Sequence, residues 1–554
     1  MSTSSDSSEK SPRARSRWLG VAALTLGVAM IIVDSTVLNV AIPSIIRDLR
    51  IDITTAQWAN TIYSLVFAAL LITFGGLADR VGRRRMFIIG VVLFMLASLL
   101  AGQATTGELL IAARTLQGVA GAIILPASLS TLNATFTGRD RAIAFGMWGA
   151  VIGGMVAIGP LLGGWCTTNL SWRWAFYINI PVGIAAIAGV RAWVAETRDP
   201  ERVRGFDPAG VLLVGLGLAG LVFATIEGNT YGWWPQRAPF TLGSWSWPAD
   251  WPSIIVFIYI ASALLLTAAV LVETRRKQQG RSVILEFSLY RIPSFRNGNF
   301  AAMIVSLGEL GLVFVLPLYL QTVRGYSAFD TGVLLLALSG GAFAAGGMAA
   351  RLSMSRGPRF VVMLGFALEI IGIVSLGAIV DVDTSGWVMS PSLFVYGMGV
   401  GFATAQLTGI ILADVPVRQS GLASGMQSTI RQVGAAMGIA LLGSVFVLLL
   451  TNGARREITH VGEVSPAQRA VVLRSIERTG GAVLGLSNIT SDSARAAARD
   501  AIDDAFVHAA RWTAFAAAGF VLLGLIAAAQ IPAPARSAEI SSEEADQADT
   551  KPDN

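Results

Sequence analysis

The sequence predicts an all-helical integral membrane protein with fourteen membrane-spanning helices. Hydrophobic residues make up 54% of its 554 residues and charged residues only 14%, whereas a soluble domain carries about 25% charged residues. Apolar stretches recur that are long enough for a helical crossing of the bilayer, which takes about 20 residues. Lys and Arg concentrate in the connections between these stretches. The net charge of +6 therefore indicates membrane topology rather than binding to nucleic acid.

The predicted spans can be placed in order along the chain. They are 18–41, 55–77, 86–104, 108–134, 142–164, 174–194, 208–227, 253–273, 298–320, 328–350, 358–380, 388–413, 422–450 and 511–531. The polar lead 1–17 and the acidic tail 532–554 are expected to be disordered.

Orientation follows from the distribution of basic residues. Alternate connections hold most of the Lys and Arg, beginning with the lead and the turn 78–85. Because cationic loops resist translocation, these connections are expected on the cytoplasmic side. Both termini are then cytoplasmic, and the protein is expected in the inner (plasma) membrane.

The chain also contains a faint internal repeat. A basic, Gly-bearing turn at 75–85 is echoed at 346–359, in each case after a second helix. The repeat predicts two six-helix halves, 18–194 and 298–531, on either side of an inserted helix pair, 208–273. The loop within that pair is rich in Trp and is expected either to anchor at the membrane interface or to gate substrate. The polar segment 451–510 is expected to form an external helical hairpin in the second half.

The first turn carries the most specific motif. It runs from Gly75 through Leu77, Asp79, Arg80 and Gly82 to Arg83, Arg84 and Arg85. A carboxylate just past the end of the second span can stabilise itself at the positive N-terminus of another helix. The helix that starts near Ser420 and Gly421 is the expected partner, and the contact would latch the halves together. The alternative is a turn that serves only topology.

Four further groups of residues join this turn in a resemblance to a known family. The turn resembles the signature between helices 2 and 3 of the major facilitator superfamily. A second group resembles that superfamily's antiporter motif: Gly149, Gly153, Gly159, Pro160, Gly163 and Gly164. Asp34 to Pro43, Trp172 to Pro181, and Gly421 to Gln432 resemble the 14-helix drug:proton antiporter branch. The resemblance implies the major facilitator fold and multidrug efflux, and does not indicate the substrate.

Charged residues inside the spans are candidates for coupling. An acid deep in a span costs about 2.5–3.5 kcal/mol on insertion scales, so Asp34 calls for a functional reason. A protonatable acid in a cavity allows a proton and a cationic substrate to compete for one charge. The resemblance places Arg114 near Asp34, where its charge would tune how readily Asp34 binds a proton. Glu309 is a second candidate, and Glu369 ranks lower because the family places its helix at the periphery. The alternative for Asp34 is an acid whose hydrogen bonds are only structural, and the alternative for Arg114 is a purely structural ion pair.

Small residues and aromatic residues give the remaining candidates. A stripe of small residues in the fifth span is expected to pack on a small face of the tenth span, which would seal the contact between halves against protons. The stripe consists of Gly149, Gly153, Ala157, Pro160 and Gly164, and Gly159 is expected at the same contact. Pocket aromatics attract lipophilic cations through their π faces. The candidate pocket residues, for which packing or a structural polar network is the alternative, are Tyr63, Trp148, Phe314, Tyr319, Gln427 and Arg431.

The leading functional hypothesis is a proton-coupled antiporter that exports lipophilic, often cationic compounds by alternating access. We expect no enzyme activity, no cofactor and no metal site, since Cys166 is the single cysteine and only two histidines are present. The expected partners are small substrates, protons and membrane lipid, with no nucleic acid, and the protein is expected to be a monomer. The alternatives are a dedicated exporter of a self-made metabolite or lipid, and a membrane receptor or scaffold without transport.

Overall fold

The computed structural model describes residues 12–51, 53–198, 207–242, 245–281, 283, 285–460, 464–479, 486, 489 and 491–531. Most of the predicted lead and the predicted tail lie outside these residues. So does part of the predicted external hairpin.

The described chain is helical almost throughout. The first half contains α1 (Pro12–Leu49), α2 (Ile53–Val81), α3 (Arg83–Gly102), α4 (Gly107–Thr135), α5 (Gly138–Asn169), the short α6 (Trp174–Tyr177) and α7 (Asn179–Trp193). The inserted pair is α8 (Pro208–Tyr231) and α9 (Ile254–Gln278), joined by a ribbon of β1 (Thr241–Leu242) and β2 (Trp245–Ser246). The second half contains α10 (Pro293–Thr322), α11 (Ala328–Arg356), α12 (Pro358–Ile379), α13 (Gly386–Ile411), α14 (Ser420–His460), α15 (Pro466–Thr479) and α16 (Asp492–Ala528).

Fourteen membrane helices can be assigned among the described residues. Twelve helical stretches are long and apolar enough to cross a bilayer. The long helices α5 and α10, of 32 and 30 residues, complete the set. Several helices begin at side-chain caps that the sequence supplies. Thr106 caps α4, and Ser327 and Asp330 form a capping box at α11.

The two six-helix halves repeat the same packing. In the first half α1 packs on α5 and α7, and α4 packs on α2 and α3. The corresponding helices of the second half do the same, since α10 packs on α14 and α16, and α13 packs on α11 and α12. This correspondence pairs α1 with α10, α3 with α12, α4 with α13, and α5 with α14. The internal repeat is therefore structural.

Contacts between the halves follow the same symmetry. The pairs α2–α14 and α5–α11 join the halves, and so do α4–α14 and α5–α13. Helices α8 and α9 pack on each other, and α8 also touches α2 and α14. We call the membrane side at which α1 begins and α2 ends the proximal face, and the opposite side the distal face.

The boundaries of the last two membrane helices differ from the predicted spans in the polar segment 451–510. Helix α14 continues to His460, and α16 begins at Asp492, well before its apolar part. Helix α15 lies between them. The polar ends of α14 and α16 pack together through Phe446 and Phe506, whose ring centroids are 5.0 Å apart. Both membrane helices thus extend beyond the predicted spans 422–450 and 511–531 into the polar segment.

Candidate functional site

A buried acid–base pair lies inside the first half. Asp34 of α1 is 2% exposed and Arg114 of α4 is 0% exposed. Arg114 Nη1 donates to Asp34 Oδ2 and, at 2.9 Å, to Gln117 Oε1. Gln117 Nε2 in turn donates to Asp34 Oδ1 at 2.9 Å. The side chains at positions 114 and 117 meet because residues three apart share one face of a helix.

Two residues that sequence reasoning did not select complete this arrangement. Asn179, the first residue of α7, donates through Nδ2 to Asp34 Oδ1 at 2.8 Å and to Ser98 Oγ at 3.1 Å. Gln117 Nε2 also donates to Ser98 Oγ, at 2.9 Å. We call Asp34, Ser98, Arg114, Gln117 and Asn179 the N-terminal cluster. It joins four helices around one carboxylate.

The arginine of the N-terminal cluster has further partners. Arg114 Nε donates to the carbonyl of Ala59 at 3.2 Å. Its guanidinium lies over the ring of Tyr63, 4.2 Å from the centroid, in a cation–π contact. Tyr63 also stacks on Phe67. Removing either charge of a buried, hydrogen-bonded pair leaves the other uncompensated, which is strongly destabilising.

A different acidic group lies at the other end of α1. Asp48 is exposed, and its Oδ2 accepts hydrogen bonds from Trp172 Nε1 at 3.0 Å and from Arg173. These hydrogen bonds hold the pKa of Asp48 below its ordinary value. Exposed ion pairs of this kind contribute about 0–1 kcal/mol. Asp34 and Asp48 thus give α1 one buried and one surface acid.

The second half contains two buried acids close together. Glu309 of α10 is 7% exposed and Glu369 of α12 is 0% exposed. The two carboxyl groups also interact electrostatically with each other. Arg431 of α14 interacts electrostatically with both acids. Tyr396 of α13 donates to the backbone carbonyl of Glu309 at 3.3 Å. We call Glu309, Glu369, Tyr396 and Arg431 the C-terminal cluster.

A small cavity borders the C-terminal cluster. Its lining includes Glu309, Arg431, Ser306, Phe366 and Thr404. The cavity lies among α10, α12, α13 and α14, near the middle of the second half. Its other lining residues, Ala302, Val305, Ala403 and Leu407, are apolar, so the ionisable groups of Glu309 and Arg431 supply its charge. Ionisable groups inside a membrane protein mark the pathways of protons or substrate.

The turn between α2 and α3 joins the halves at the proximal face. Asp79, 0% exposed, accepts hydrogen bonds from the backbone N–H of Gly421 at 3.0 Å and of Leu422 at 3.1 Å. Arg83 donates to Asp79 Oδ1 at 2.8 and 3.0 Å and to the carbonyl of Val417 at 2.7 Å. A carboxylate at the first turn of α14 is stabilised by the helix macrodipole. We call these five residues the proximal latch.

Close backbone approach is required beside the proximal latch. A Cβ at Gly425 would lie 2.7 Å from the carbonyl of Leu71, and Gly75 packs equally tightly on Gly421. Small residues at such crossings let helices approach closely in lipid. The absence of side chains at Gly75, Gly421 and Gly425 is what allows α2 and α14 to meet.

A second carboxylate fixes the same turn from within the first half. Glu196, which the sequence did not single out, accepts from the backbone N–H of Arg84 at 3.0 Å and of Arg85 at 3.1 Å. Arg84 Nη1 donates to the carbonyl of Val194 at 3.1 Å. Gly82 has φ = 119°, a conformation that favours glycine. Arg80 is half-buried at the end of α2.

The glycines of α5 face two directions. Gly149 packs on Ala405 of α13, Gly154 on Phe343 of α11, and Gly164 on Phe329 of α11, so these three lie between the halves. In contrast, Gly159 packs on Thr36, and a Cβ at Gly163 would lie 2.9 Å from the carbonyl of Val37. Both are contacts with α1 of the same half.

The expectation that Gly159 lies at the contact between the halves is therefore wrong, and Gly163 lies on the same side of α5 as Gly159. A helix turns by about 100° per residue, which places these two on a different side of α5 from Gly154. In α11, Gly341 packs on Phe394 of α13, whereas Gly346 packs on Ala150 of α5. The contacts of Gly153 and Pro160 lie outside what the structure describes.

The candidate pocket aromatics occupy separate places. Tyr63 lies in contact with Arg114, and Trp148 is buried at 3% exposure in α5. Tyr319 lies at the distal end of α10, where its hydroxyl donates to the carbonyl of Asp381 at 2.6 Å. The side chain of Phe314 lies outside the described residues. Gln427 donates to Thr408 Oγ1 at 3.4 Å, one turn from Arg431 on α14.

Two pseudo-symmetric six-helix halves, buried charges inside each half and a latch between them define a membrane transporter of the alternating-access class. The family model described as Major Facilitator Superfamily matches residues 24–439. The chain belongs to the Major Facilitator Superfamily, as the motifs predicted.

Its relatives are named as exporters or resistance proteins. The chain is 34% identical over 435 residues to the Puromycin resistance protein pur8 of Streptomyces alboniger, covering 77% of this chain and 82% of that protein. It is 31% identical over 454 residues to the Probable actinorhodin transporter of Streptomyces coelicolor, covering 81% and 75%. It is 29% identical over 525 residues to the Multidrug efflux pump LfrA of Mycolicibacterium smegmatis, covering 94% and 98%.

Solved structures share the fold. The human organic anion transporter MFSD10 (TETRAN) aligns with a TM-score of 0.55 at 12% identity, covering 92% of this chain and 99% of that one. A bacterial homolog of the human lysosomal transporter Spinster, in an inward-facing and unoccupied conformation, aligns with a TM-score of 0.51 at 16% identity, covering 94% and 99%.

Proposed function

We propose that this protein is a proton-coupled antiporter that exports lipophilic, often cationic compounds across the plasma membrane. The observation that carries the proposal is the fully buried pair of Asp34 and Arg114. Ionisable groups inside a membrane bundle are expensive and mark proton or ion pathways. The names of the relatives, which include a multidrug efflux pump and antibiotic resistance proteins, support export of drug-like compounds.

The N-terminal cluster supplies a mechanism for coupling. A proton that binds Asp34 Oδ2 neutralises the carboxylate and leaves the Arg114 guanidinium as an uncompensated buried cation. That state is costly, so protonation favours any conformation in which Arg114 regains a partner or reaches water. Proton binding thereby shifts the balance between conformations, which is the requirement for coupling.

A cationic substrate would compete with the proton for the same carboxylate. Tyr63 presents a ring beside this charge, and π faces attract lipophilic cations. Trp148, Phe314, Gln427 and Arg431 remain further candidates for the pocket wall. Competition between one proton and one cation for a single charge gives antiport.

The proximal latch would hold the cytoplasmic side closed while the distal side exchanges substrate. The distribution of Lys and Arg supports a cytoplasmic position for the proximal face and for both termini. The contacts of Gly149 and Gly154 with α13 and α11 would keep the contact between the halves closed to protons. In this proposal the unit of transport is the monomer, surrounded by lipid.

A second candidate has the same machinery and a narrower substrate. Two relatives are named as the Probable actinorhodin transporter and the Tetracenomycin C resistance and export protein. These names favour a dedicated exporter of a self-made compound. Deletion of the gene in the producing cells would then raise an intracellular metabolite and leave resistance to unrelated lipophilic cations unchanged.

The leading proposal is tested by efflux of a fluorescent lipophilic cation from cells that express the full chain. Wild-type protein is expected to lower dye accumulation, and collapse of the proton gradient should abolish this effect. Asp34→Asn should reduce gradient-dependent efflux to the level of cells without the transporter. The Asn side chain keeps the size of the residue but leaves Arg114 without its counter-charge, so efflux is compared at equal amounts of protein in the membrane.

The matched control is Asp48→Asn, the same substitution at an exposed site of the same helix. It removes an exposed ion pair worth about 0–1 kcal/mol and should leave efflux near the wild-type rate. Wild-type efflux by the Asp34→Asn variant across a range of pH would contradict the proposal. Wild-type efflux that persists without a proton gradient would contradict it as well.

A further inference from the structure

The C-terminal cluster contains one more acid than base. Among the described residues, Glu309 and Glu369 are both buried and interact with one cation, Arg431. In the described part of the packed helices, the further titratable group beside them is Tyr396 of α13, whose hydroxyl donates to the backbone of Glu309. Helix α16 presents Ala517 and Val521 to Gly308, next to Glu309. With both acids ionised the cluster would carry a net charge of −1.

Glu369 lacks the partners that an ionised buried carboxylate requires. Neither of its oxygens accepts a hydrogen bond from an N–H or O–H donor within the described residues. The charges that act on it are those of Glu309 and Arg431. Two adjacent buried carboxyl groups cannot both be ionised, because their repulsion adds to the cost of leaving water.

We propose that Glu309 and Glu369 share one proton and form a second proton-carrying site, in addition to Asp34. The shared proton bridges the two carboxyl groups and makes the cluster electrically neutral together with Arg431. When the proton leaves, the cluster carries one negative charge. This inference rests on the proposed antiport function and sets its stoichiometry at two protons per cycle.

The position of Arg431 gives the second site a route to the conformational change. Arg431 and Gly421 lie on the same helix, α14, ten residues apart, which is about 15 Å along the axis. Gly421 is part of the proximal latch. A movement of α14 that opens the latch therefore moves Arg431 relative to the acids on α10 and α12, and this changes the charge that holds the shared proton.

Infrared spectroscopy of the purified full chain tests the shared proton without transport. The wild-type protein should show the carbonyl-stretch band of a protonated carboxylic acid at neutral pH. Both Glu369→Gln and Glu309→Gln should lose this band, because the remaining acid is then balanced by Arg431. Loss of the band in Glu369→Gln but not in Glu309→Gln would indicate an independently protonated Glu369 and overturn the proposal. A band that survives both substitutions would also overturn it.

The stoichiometry is tested in proteoliposomes with tetraphenylphosphonium, a monovalent lipophilic cation, in the absence of a pH gradient. Exchange of two protons for one such cation moves net charge, so a potassium diffusion potential should drive wild-type transport and change accumulation severalfold. Glu369→Gln and Glu309→Gln should still exchange the cation for a proton when a pH gradient is imposed, and should no longer respond to voltage.

The outcomes separate this inference from the proposed function. No exchange by wild-type protein under any gradient would refute antiport itself. Exchange by wild-type protein that ignores voltage would refute the second site alone. A voltage response retained in both Gln variants would also refute the second site alone. Asp48→Asn serves as the control and should keep both the infrared band and the voltage response.

Discussion

The N-terminal cluster and the C-terminal cluster lie on corresponding helices but differ in where their arginine comes from. Helices α1, α3 and α4 of the first half correspond to α10, α12 and α13 of the second. Asp34 on α1 therefore has Glu309 as its counterpart on α10. Arg114 comes from α4, inside its own half, whereas Arg431 comes from α14, a helix that also contacts the first half.

The clusters also differ in charge and depth. Asp34 is balanced by Arg114 and receives two further donors, Gln117 and Asn179. Ser98 lies four residues from the distal end of α3, about 6 Å along the axis. Glu369 lies ten residues from the end of α12, about 15 Å along the axis. The first half thus holds a balanced pair near the distal face, and the second half an acid-rich group near its middle.

In the proposed mechanism, this difference divides the work between the two halves. Asp34 would bind its proton when a conformational change separates it from Arg114. The pair of Glu309 and Glu369 would already hold one shared proton and would release it when Arg431 moves.

The largest expected effect comes from removing the two arginines separately. Arg114→Met leaves the Asp34 carboxylate buried without its cation, which should cost about 3–5 kcal/mol. Arg431→Met should cost less, because the acid pair can take up a second proton. Thermal unfolding of the purified protein in detergent measures both losses.

The pH dependence of stability should distinguish the Arg431→Met variant from the Arg114→Met variant. The Arg431→Met protein should gain stability as the pH falls, since a second proton neutralises the pair. The double variant Asp34→Asn with Arg114→Met should recover most of the loss, because neither charge then remains. Equal losses for the two arginines, at every pH, would show that the clusters are equivalent.

The next effect concerns the hydrogen bonds within each cluster. Asn179→Ala removes a donor 2.8 Å from Asp34 Oδ1 and should cost about 1–3 kcal/mol. Tyr396→Phe removes a 3.3 Å bond to the backbone carbonyl of Glu309 and should cost about 0.5–1 kcal/mol. The same unfolding measurement applies. A larger loss for Tyr396→Phe would contradict the view that the first cluster is the more tightly satisfied one.

The sequence was sufficient to predict the charged members of these clusters. Asp34, Arg114 and Glu309 stand out because charges within apolar spans are rare. Ser98 and Asn179 do not, because neutral polar residues are common in spans and gain meaning only when four helices converge. Glu369 ranked low because its helix was assigned to the periphery, and only the packing of α12 on α13 brings its carboxyl group to Glu309.

The fold was predictable for a similar reason, and its details were not. Span length and apolar composition are local properties, so fourteen helices and two halves follow from the sequence. The direction of each glycine in α5 depends on how the helix is rotated against three neighbours. Glu196 is an exposed-looking residue in a polar connection, and nothing local indicates that it binds the start of α3.

The smallest expected effect concerns the proximal latch, which joins the first half to α14, the helix that carries Arg431. Asp79→Asn keeps one oxygen acceptor, and Arg83 keeps its hydrogen bond to the carbonyl of Val417. The substitution removes the charge at the start of α14, whose interaction with the helix macrodipole contributes about 1 kcal/mol. Because this free energy separates two conformations, opening of the proximal face should become more frequent. Gln419→Cys, placed beside the latch in a Cys166→Ser background, should then react faster with a membrane-impermeant thiol reagent applied to the proximal side.

Glu196→Gln is the matched control for this contact. Like Asp79, Glu196 is a carboxylate that accepts two backbone N–H groups at the start of a helix, but both partners lie in its own half. It should therefore leave the reactivity at position 419 unchanged while Asp79→Asn raises it. Equal reactivity in the two variants would mean that the turn only shapes the start of α3. A movement of the first half would then be transmitted to Arg431 through the contacts of α14 with α2 and α4 deeper in the membrane.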